Sequence, residues 1–235
     1  MKRSLPARIA RWVTIAVLAA AVGSIAIVAA FRWLPVPMTA FMIEERFANS
    51  GREPALVQKH AWVPWSRISR QAAIAAIAAE DQKFLLHDGF DFQQIEKAVN
   101  DAQRGRRLRG ASTISQQVAK NLFLWSGQSW VRKGLEVWFT LWIECLWSKE
   151  RILEVYLNSA QFGRGTWGVQ AASRQFFGKD AARLSPSEAA LLAAVLPSPT
   201  RFRVSNPTAY VLNRQAWILG QMNRLSAAGL LRSLK

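Results

Sequence analysis

Twenty consecutive residues, Trp12 to Phe31 (WVTIAVLAAAVGSIAIVAAF), carry no charge and are closed off by Arg11 and Arg32. Wound as an α-helix with a rise of about 1.5 Å per residue, they match the roughly 30 Å hydrocarbon thickness of a bilayer. A stretch of this length and apolarity predicts one membrane-spanning helix. Trp12 and Trp33 stand where amphipathic rings favour the membrane interface, and Lys2, Arg3, Arg8 and Arg11 crowd the N-terminal side. That asymmetry predicts an N-terminus in the cytoplasm and the rest of the chain outside it. A cleaved signal peptide shares the basic start, but its apolar stretch is usually only about 7–15 residues. The chain therefore divides into a basic tail (1–11), the spanning helix (12–31), a connector and membrane-proximal segment (32–65) and a globular domain (66–235).

The 235 residues leave room for one domain of ordinary size beyond that helix, and no internal repeat or linker divides it. With 51% of residues hydrophobic and eleven Trp, the chain can bury a core, which excludes disordered, collagen-like and mucin-like classes. Lys and Arg number 31 against 15 Asp and Glu, a formal net charge of +16. Partners are expected to be anionic; charge alone does not choose among nucleic acid, acidic lipid headgroups and a phosphorylated substrate. Cys145 is the single cysteine, so no internal disulfide forms, and its place in the apolar run VWFTLWIECLW predicts a buried, inert thiol. Two histidines, His60 and His87, are too few for a typical structural zinc site.

From Leu34 the text PVPMTAF, with two prolines and no helical period, reads as a short extended connector. Helix signals then dominate and strand signals are scarce. Ser69 precedes an Ala/Ile-rich run ending at Glu80, Asp91 and Gln94 resemble a helix start, and Ser112 is placed to cap a helix through Leu122. An apolar helix is expected from Ser129 to Trp147, where Trp138 and Trp142 face either the core or the bilayer. Ser185-Pro186-Ser187-Glu188 combines an N-cap, a first-turn proline and a capping-box glutamate, and Asn206-Pro207 repeats that logic for a last helix ending before Gly229. The fold class is mainly α.

Three polar clusters can carry chemistry. In EDQKFLLHDGFD (80–91), Glu80 ends an apolar helix, where partial desolvation strengthens a carboxylate as a base; the plain alternative is a solvated helix end. Asp81 can equally cap or pair, and His87 can touch substrate or make a structural hydrogen bond. In RGASTISQQVAKN (109–121), free N–H groups at a helix start suit phosphate oxygens and Lys120 adds a movable point charge, although an ordinary capped amphipathic helix has the same spacing. No G-x-x-x-x-G-K-[ST] pattern occurs, so nucleotide hydrolysis has no support. In RKGLE (132–136), Arg132 and Glu136 share a helix face, the spacing of a simple surface ion pair. The arginines at 104, 106, 107 and 109 form either a solvated face or a contact for acidic lipid.

Together with SKERILEVYLN (148–158), FGRGTWGVQAAS (162–173), FFGK and SEAALLAAVLPSP, these clusters resemble the monofunctional biosynthetic peptidoglycan transglycosylases, relatives of the glycosyltransferase domain of class A penicillin-binding proteins. The order and separation of the motifs carry the resemblance over essentially the whole chain beyond the connector. Trp167 departs from it, standing where relatives often have Tyr or Phe. The resemblance implies a lysozyme-like, mainly α glycosyltransferase domain with a single N-terminal transmembrane helix. It further implies an enzyme of the bacterial inner membrane, its domain in the periplasm, that polymerises lipid II into β-1,4-linked glycan strands.

By the same resemblance Glu80 is the general base. Glu136 is a second catalytic carboxylate that organises the lipid diphosphate through Arg132, Lys133 or a divalent cation such as Mg, although the sequence requires no cofactor. The implied substrate groove comprises Asp81, Phe84, His87, Arg109, Ser112, Thr113, Gln116, Gln117, Lys120, Asn121, Arg132 and Lys133, with Lys120 nearest the diphosphate. The segment 122–130 corresponds to a mobile membrane-proximal region, so Phe123, Leu124, Trp125 and Trp130 either enter the lipid tails or pack as a loop. Expected partners are lipid II, the growing glycan, the membrane and other cell-wall synthesis or division proteins, with no nucleic acid. A glycan-cleaving muramidase or lytic transglycosylase is the enzymatic rival. A membrane-tethered nucleic-acid-binding module uses the charge but leaves Glu80 and Glu136 without a role. No S-x-x-K sequence occurs, so transpeptidase activity is not expected.

Overall fold

The computed structural model describes residues 5–51, 56–105 and 112–227. In chain order its helices are α1 (Leu5–Ala30), α2 (Ala40–Ala48), α3 (Arg70–Glu80), α4 (Phe92–Gln103), α5 (Ile114–Phe123), α6 (Trp130–Leu146), α7 (Lys149–Ser159), α8 (Val169–Phe177), α9 (Pro186–Val195) and α10 (Ala209–Ala227). The strands are β1 (Lys59–His60), β2 (Gln161–Gly163) and β3 (Thr166–Trp167), in the order β1-β3-β2, with β1 parallel and β2 antiparallel to β3. The mainly α class stands, and the small sheet is the only strand structure among the described residues.

Local hydrogen bonding fixes most helix starts where the sequence places them. Ser69 accepts from the Gln71 N–H, Asp91 from Gln94 and Ser129 from Arg132, and Ser148, not foreseen as a cap, accepts from Arg151; each side chain satisfies a first-turn donor that has no intrahelical partner. Ser185 and Glu188 close the expected capping box. Two starts differ. The cap of α5 is Thr113, not Ser112, because the reciprocal box needs Gln116 three residues on. The last helix starts at Ala209, with Thr208 Oγ1 accepting from the Val211 N–H at 3.4 Å, rather than at Asn206-Pro207. The extended connector also contains an unforeseen helix, α2, capped by Thr39, whose hydroxyl accepts from the Met42 N–H at 3.1 Å.

The core forms around α3. Ala72 to Ala78 are all buried, as befits a helix apolar on every side. Its small side chains let the Ala-rich α9 approach closely, and α10 and α7 cover the remaining faces. A second group, α5 against α6 and α7, packs beside it. Asn158 on α7 is wholly buried and ties that helix to the segment before α3: its amide donates to Val63 O and Glu154 O, and its oxygen accepts from the Val63 N–H.

α1 is the one helix among the described residues long and apolar enough to cross a membrane, with a mean hydropathy of 2.5 over an 18-residue stretch within Arg8–Ala30. Its C-terminal end is built into the domain. Val28 is fully buried, and its carbonyl accepts from Trp147 Nε1 at 2.8 Å. Trp138 Nε1 donates to Ser24 Oγ at 3.0 Å, and the Arg151 guanidinium donates to Phe31 O and Leu34 O in the turn that follows the helix. Removing α1 as a signal peptide would strip these partners from buried groups. Cys145 is exposed, correcting the buried thiol, because α6 turns Val137, Leu141 and Cys145 outward and its other side, with Thr140 and Ile143, inward. In the segment 122–130, Leu122 and Leu124 are buried and Phe123 stacks between Phe31 and Phe139, while Trp125 and Trp130 are exposed.

One backbone position binds these layers at the site. Gly89 has φ +88°, and a Cβ there would lie 2.8 Å from Thr140 Cγ2 on α6, inside contact distance. Gly178 has φ +66°, but a Cβ there would meet nothing within 4 Å. Gly89→Ala is therefore expected to cost about 2–4 kcal/mol, from backbone strain plus overpacking, and Gly178→Ala only the strain, about 1–2 kcal/mol. Equal losses in denaturant unfolding would contradict the close approach.

Candidate active site

Glu80 is the last residue of α3, and its side chain is 15% exposed at a cavity of about 430 Å³ that Asp81, Lys83, Gln94, Ser112 and Thr113 also line. Its Oε2 accepts from Gln117 Nε2 on α5 at 3.0 Å, and the Arg214 guanidinium on α10 stands 3.6 Å from Oε1 while donating to Ala79 O at 3.4 Å. Among the described residues the carboxylate thus has one firm hydrogen bond and one nearby cation, and it lines the cavity.

The next residue does different work. Asp81 accepts from the Ile114 N–H at 3.0 Å and sits 3.0 Å from His87 Nε2, so it is tied to the start of α5 and to the loop that follows it. Thr113 Oγ1 donates to Gly89 O at 2.6 Å, closing the same loop. Beneath it Lys149 donates to His87 O and to both oxygens of Glu144, lies 4.6 Å from the Phe84 ring centroid, and shares Glu144 with Ser115. These bonds hold Glu80 between α3 and α5. Of the residues expected to line a groove, Phe84 is fully buried and Gln116 is 4% exposed and spent in the α5 cap, so both support the site from within. Asp81 and His87 are committed to each other, Ser112 is exposed at the cavity, and Asn121 is half-buried. Arg109 lies outside the described residues, as do the arginines at 106 and 107.

The cations gather on the α5 and α6 side. Lys120 is partly buried, which lowers its pKa; Glu136 opposes that shift, Arg132 and Lys133 add to it, and Glu80 opposes it more weakly. Four charges, two of each sign, therefore bear on Lys120. The Arg132–Glu136 pair is not a surface bridge: Glu136 is 3% exposed, Arg132 Nη1 lies 2.8 Å from its Oε2, and Lys133 takes the other oxygen. A carboxylate buried this way needs its partners, and of the three cations it leaves Lys120 without a bonded carboxylate among the described residues. Among those residues no group of three or more His, Cys, Asp or Glu could hold a metal, and Glu136 is already neutralised twice. The described side chains of the site do not by themselves form a cage for a divalent ion.

Two residues went unread in the sequence. Arg214 reaches Glu80 from a helix more than a hundred positions away and belongs to no local cluster. Tyr156 on α7 is fully buried and its phenol is pushed well above the ordinary tyrosine range by burial and by the charges of Glu80 and Asp81, so it stays neutral beside them. Trp167, the departure from the usual Tyr or Phe, is buried and donates Nε1 to Glu45 at 2.6 Å.

The transglycosylase family model matches residues 49–223. Proteins named biosynthetic peptidoglycan transglycosylase are similar over most of their length. One from Pseudomonas entomophila (strain L48) is 54% identical over 215 residues, 91% of each chain. One from Pseudomonas putida (strain W619) is 56% identical over 216 residues, also 91% of each. One from Xanthomonas campestris pv. campestris (strain B100) is 51% identical over 224 residues, 95% of this chain and 91% of the relative.

Proposed function

The chain belongs to the transglycosylase family and is a peptidoglycan glycosyltransferase, and we propose that Glu80 is the general base with which it polymerises lipid II. Glu80 takes the proton from the 4-hydroxyl of the acceptor's GlcNAc. The freed oxygen attacks the donor's anomeric carbon from the side opposite the diphosphate, so the α linkage becomes β, and the carbon–oxygen bond to the lipid diphosphate breaks. Lys120, with Arg132 and Lys133 behind it, receives the charge of the departing group, which in a partly desolvated site is worth more than it would be in water. Glu136 keeps Arg132 and Lys133 in place and does not itself donate a proton, since diphosphate leaves readily as an anion.

The observation that carries this reading is that Glu80 is hydrogen-bonded to Gln117, one turn before Lys120 on α5, the lysine on which Arg132, Lys133 and Glu136 also bear. Cleavage of a finished glycan needs a carboxylate but no diphosphate grip. Given preformed glycan and lipid II side by side, the purified protein is expected to consume lipid II and leave the glycan at its original length; shortened glycan with untouched lipid II would reverse the assignment to a lytic enzyme.

The anchor fits the substrate. A polyprenyl tail stays in the bilayer while the diphosphate and sugars protrude, so an enzyme held at that surface meets them already oriented. The basic N-terminal side supports an orientation with residues 1–11 in the cytoplasm and the domain in the periplasm, outside an inner membrane. The protein is expected in carbonate-resistant membranes with its N-terminus intact; a soluble, trimmed product would contradict the built-in end of α1. Other cell-wall synthesis or division proteins are natural neighbours for such an enzyme.

A further inference from the structure

α2 precedes the residues that the family model matches, yet it meets the cation site from two directions. The Lys120 ammonium stands 5.7 Å from the centroid of the Phe41 ring, within reach of cation–π attraction, which strengthens when the cation is partly desolvated. One turn on, Glu44 accepts from the Ser126 N–H at 3.0 Å and from its hydroxyl. Ser126 lies in the loop that joins α5, bearing Lys120, to α6, bearing Arg132, Lys133 and Glu136. α2 is itself moored. The adjacent Glu45 accepts from Trp167 Nε1, Gln161 Nε2, the Gly165 N–H and Gln58 Nε2, at 2.6, 2.7, 3.2 and 3.2 Å, and so fixes the helix to the sheet.

We propose that Phe41 and Glu44 are positioning residues, and that α2 is a strap setting the distance between Lys120 and the cations of α6 for a lipid-linked diphosphate. The inference rests on the reading of Lys120, Arg132 and Lys133 as the diphosphate grip. It assigns the strap to substrate holding, not to proton removal, because the groups that hold Glu80, Gln117 and Arg214, are not on α2. The short helix between anchor and domain then carries part of the specificity for a diphosphate.

The test uses the full detergent-solubilised chain with labelled lipid II, comparing Phe41→Leu, Phe41→Trp, Glu44→Ala and Lys120→Ala. Phe41→Leu and Glu44→Ala are expected to raise KM about 3- to 30-fold, the range that loss of such contacts supports, with kcat changed less than about twofold and the unfolding midpoint unmoved. Phe41→Trp keeps a π face and is expected to hold KM near the parental value. Parental KM in Phe41→Leu and Glu44→Ala, or a fall in kcat and stability at constant KM, or a KM in Phe41→Trp as poor as in Phe41→Leu, would overturn the strap. Lys120→Ala separates the two levels. If it is impaired while the α2 variants are parental, the strap alone fails; if it too is parental, the diphosphate grip fails with it.

Discussion

Glu80→Gln is expected to slow lipid II polymerisation by about 10²- to 10⁴-fold, the range that loss of a general base produces, with fold and membrane location intact. An amide of the same shape still accepts from Gln117 and still ends α3, but it cannot take a proton from the acceptor hydroxyl. The substitution also leaves Asp81, His87 and the loop bonds to Ile114 and Gly89 in place, so the cavity should keep its form. The change is read as initial rate of polymer formation, with an unfolding curve on the same preparation. Turnover close to parental would remove Glu80 from the role of base.

The second large effect is expected on the cation side. Lys120→Ala and Glu136→Gln should each lower polymerisation about 10²- to 10³-fold, the usual result of removing one preorganised charge-stabilising group. They act differently. Lys120→Ala removes the cation proposed to meet the leaving group, whereas Glu136→Gln takes the buried counter-charge from Arg132, whose Nε has no partner among the described residues, and lets both cations of α6 shift. The lysine also sets a pH limit. Burial holds the Lys120 pKa below that of a free lysine, with Arg132 and Lys133 pushing the same way against Glu136 and Glu80. The charged grip exists below that pKa and is lost as pH rises through it. Activity should therefore fall on the alkaline side at lower pH than a solvated lysine would allow, and in Lys120→Arg, whose guanidinium stays charged, the remaining activity should extend to higher pH. Parental rates in both Lys120→Ala and Glu136→Gln, or an alkaline limb unmoved by Lys120→Arg, would contradict the grip.

What could be read in advance follows the range of the physics involved. Caps at Ser69, Asp91, Ser129 and Ser185 are three-residue interactions, and the sequence displays them directly. At Ser112 and Thr113 two cap-forming residues stand side by side, and the reciprocal bond to Gln116 decides between them. α2 was hidden because nine residues after a proline pair hold too short a period, and its stability comes from Glu45 on the sheet and Glu44 on a distant loop. Glu136 could be placed on one face with Arg132 from spacing, but its burial depends on what packs above that face. The same holds for Cys145, which the apolar text around it put inside and the orientation of α6 puts outside.

The candidate site divides in the same manner. Glu80 and Gln117 are 37 positions apart, and nothing local joins them; only the order of several clusters placed them in one groove. Phe84 and Gln116 were carried into that groove with their neighbours, although one fills the core and the other closes a helix cap. Arg214 lay beyond any cluster, since its contact with Glu80 arises from the packing of α10 on α3.

The most direct test loads the parental enzyme and Glu80→Gln with doubly labelled lipid II and follows sugar and lipid separately. Both are expected to bind the substrate with similar affinity. Only the parental protein should release one polyprenyl diphosphate per disaccharide added and yield a polymer that lysozyme digests back to small fragments. Equal diphosphate release by the two proteins, or a parental product that lysozyme leaves intact, would contradict the proposed reaction.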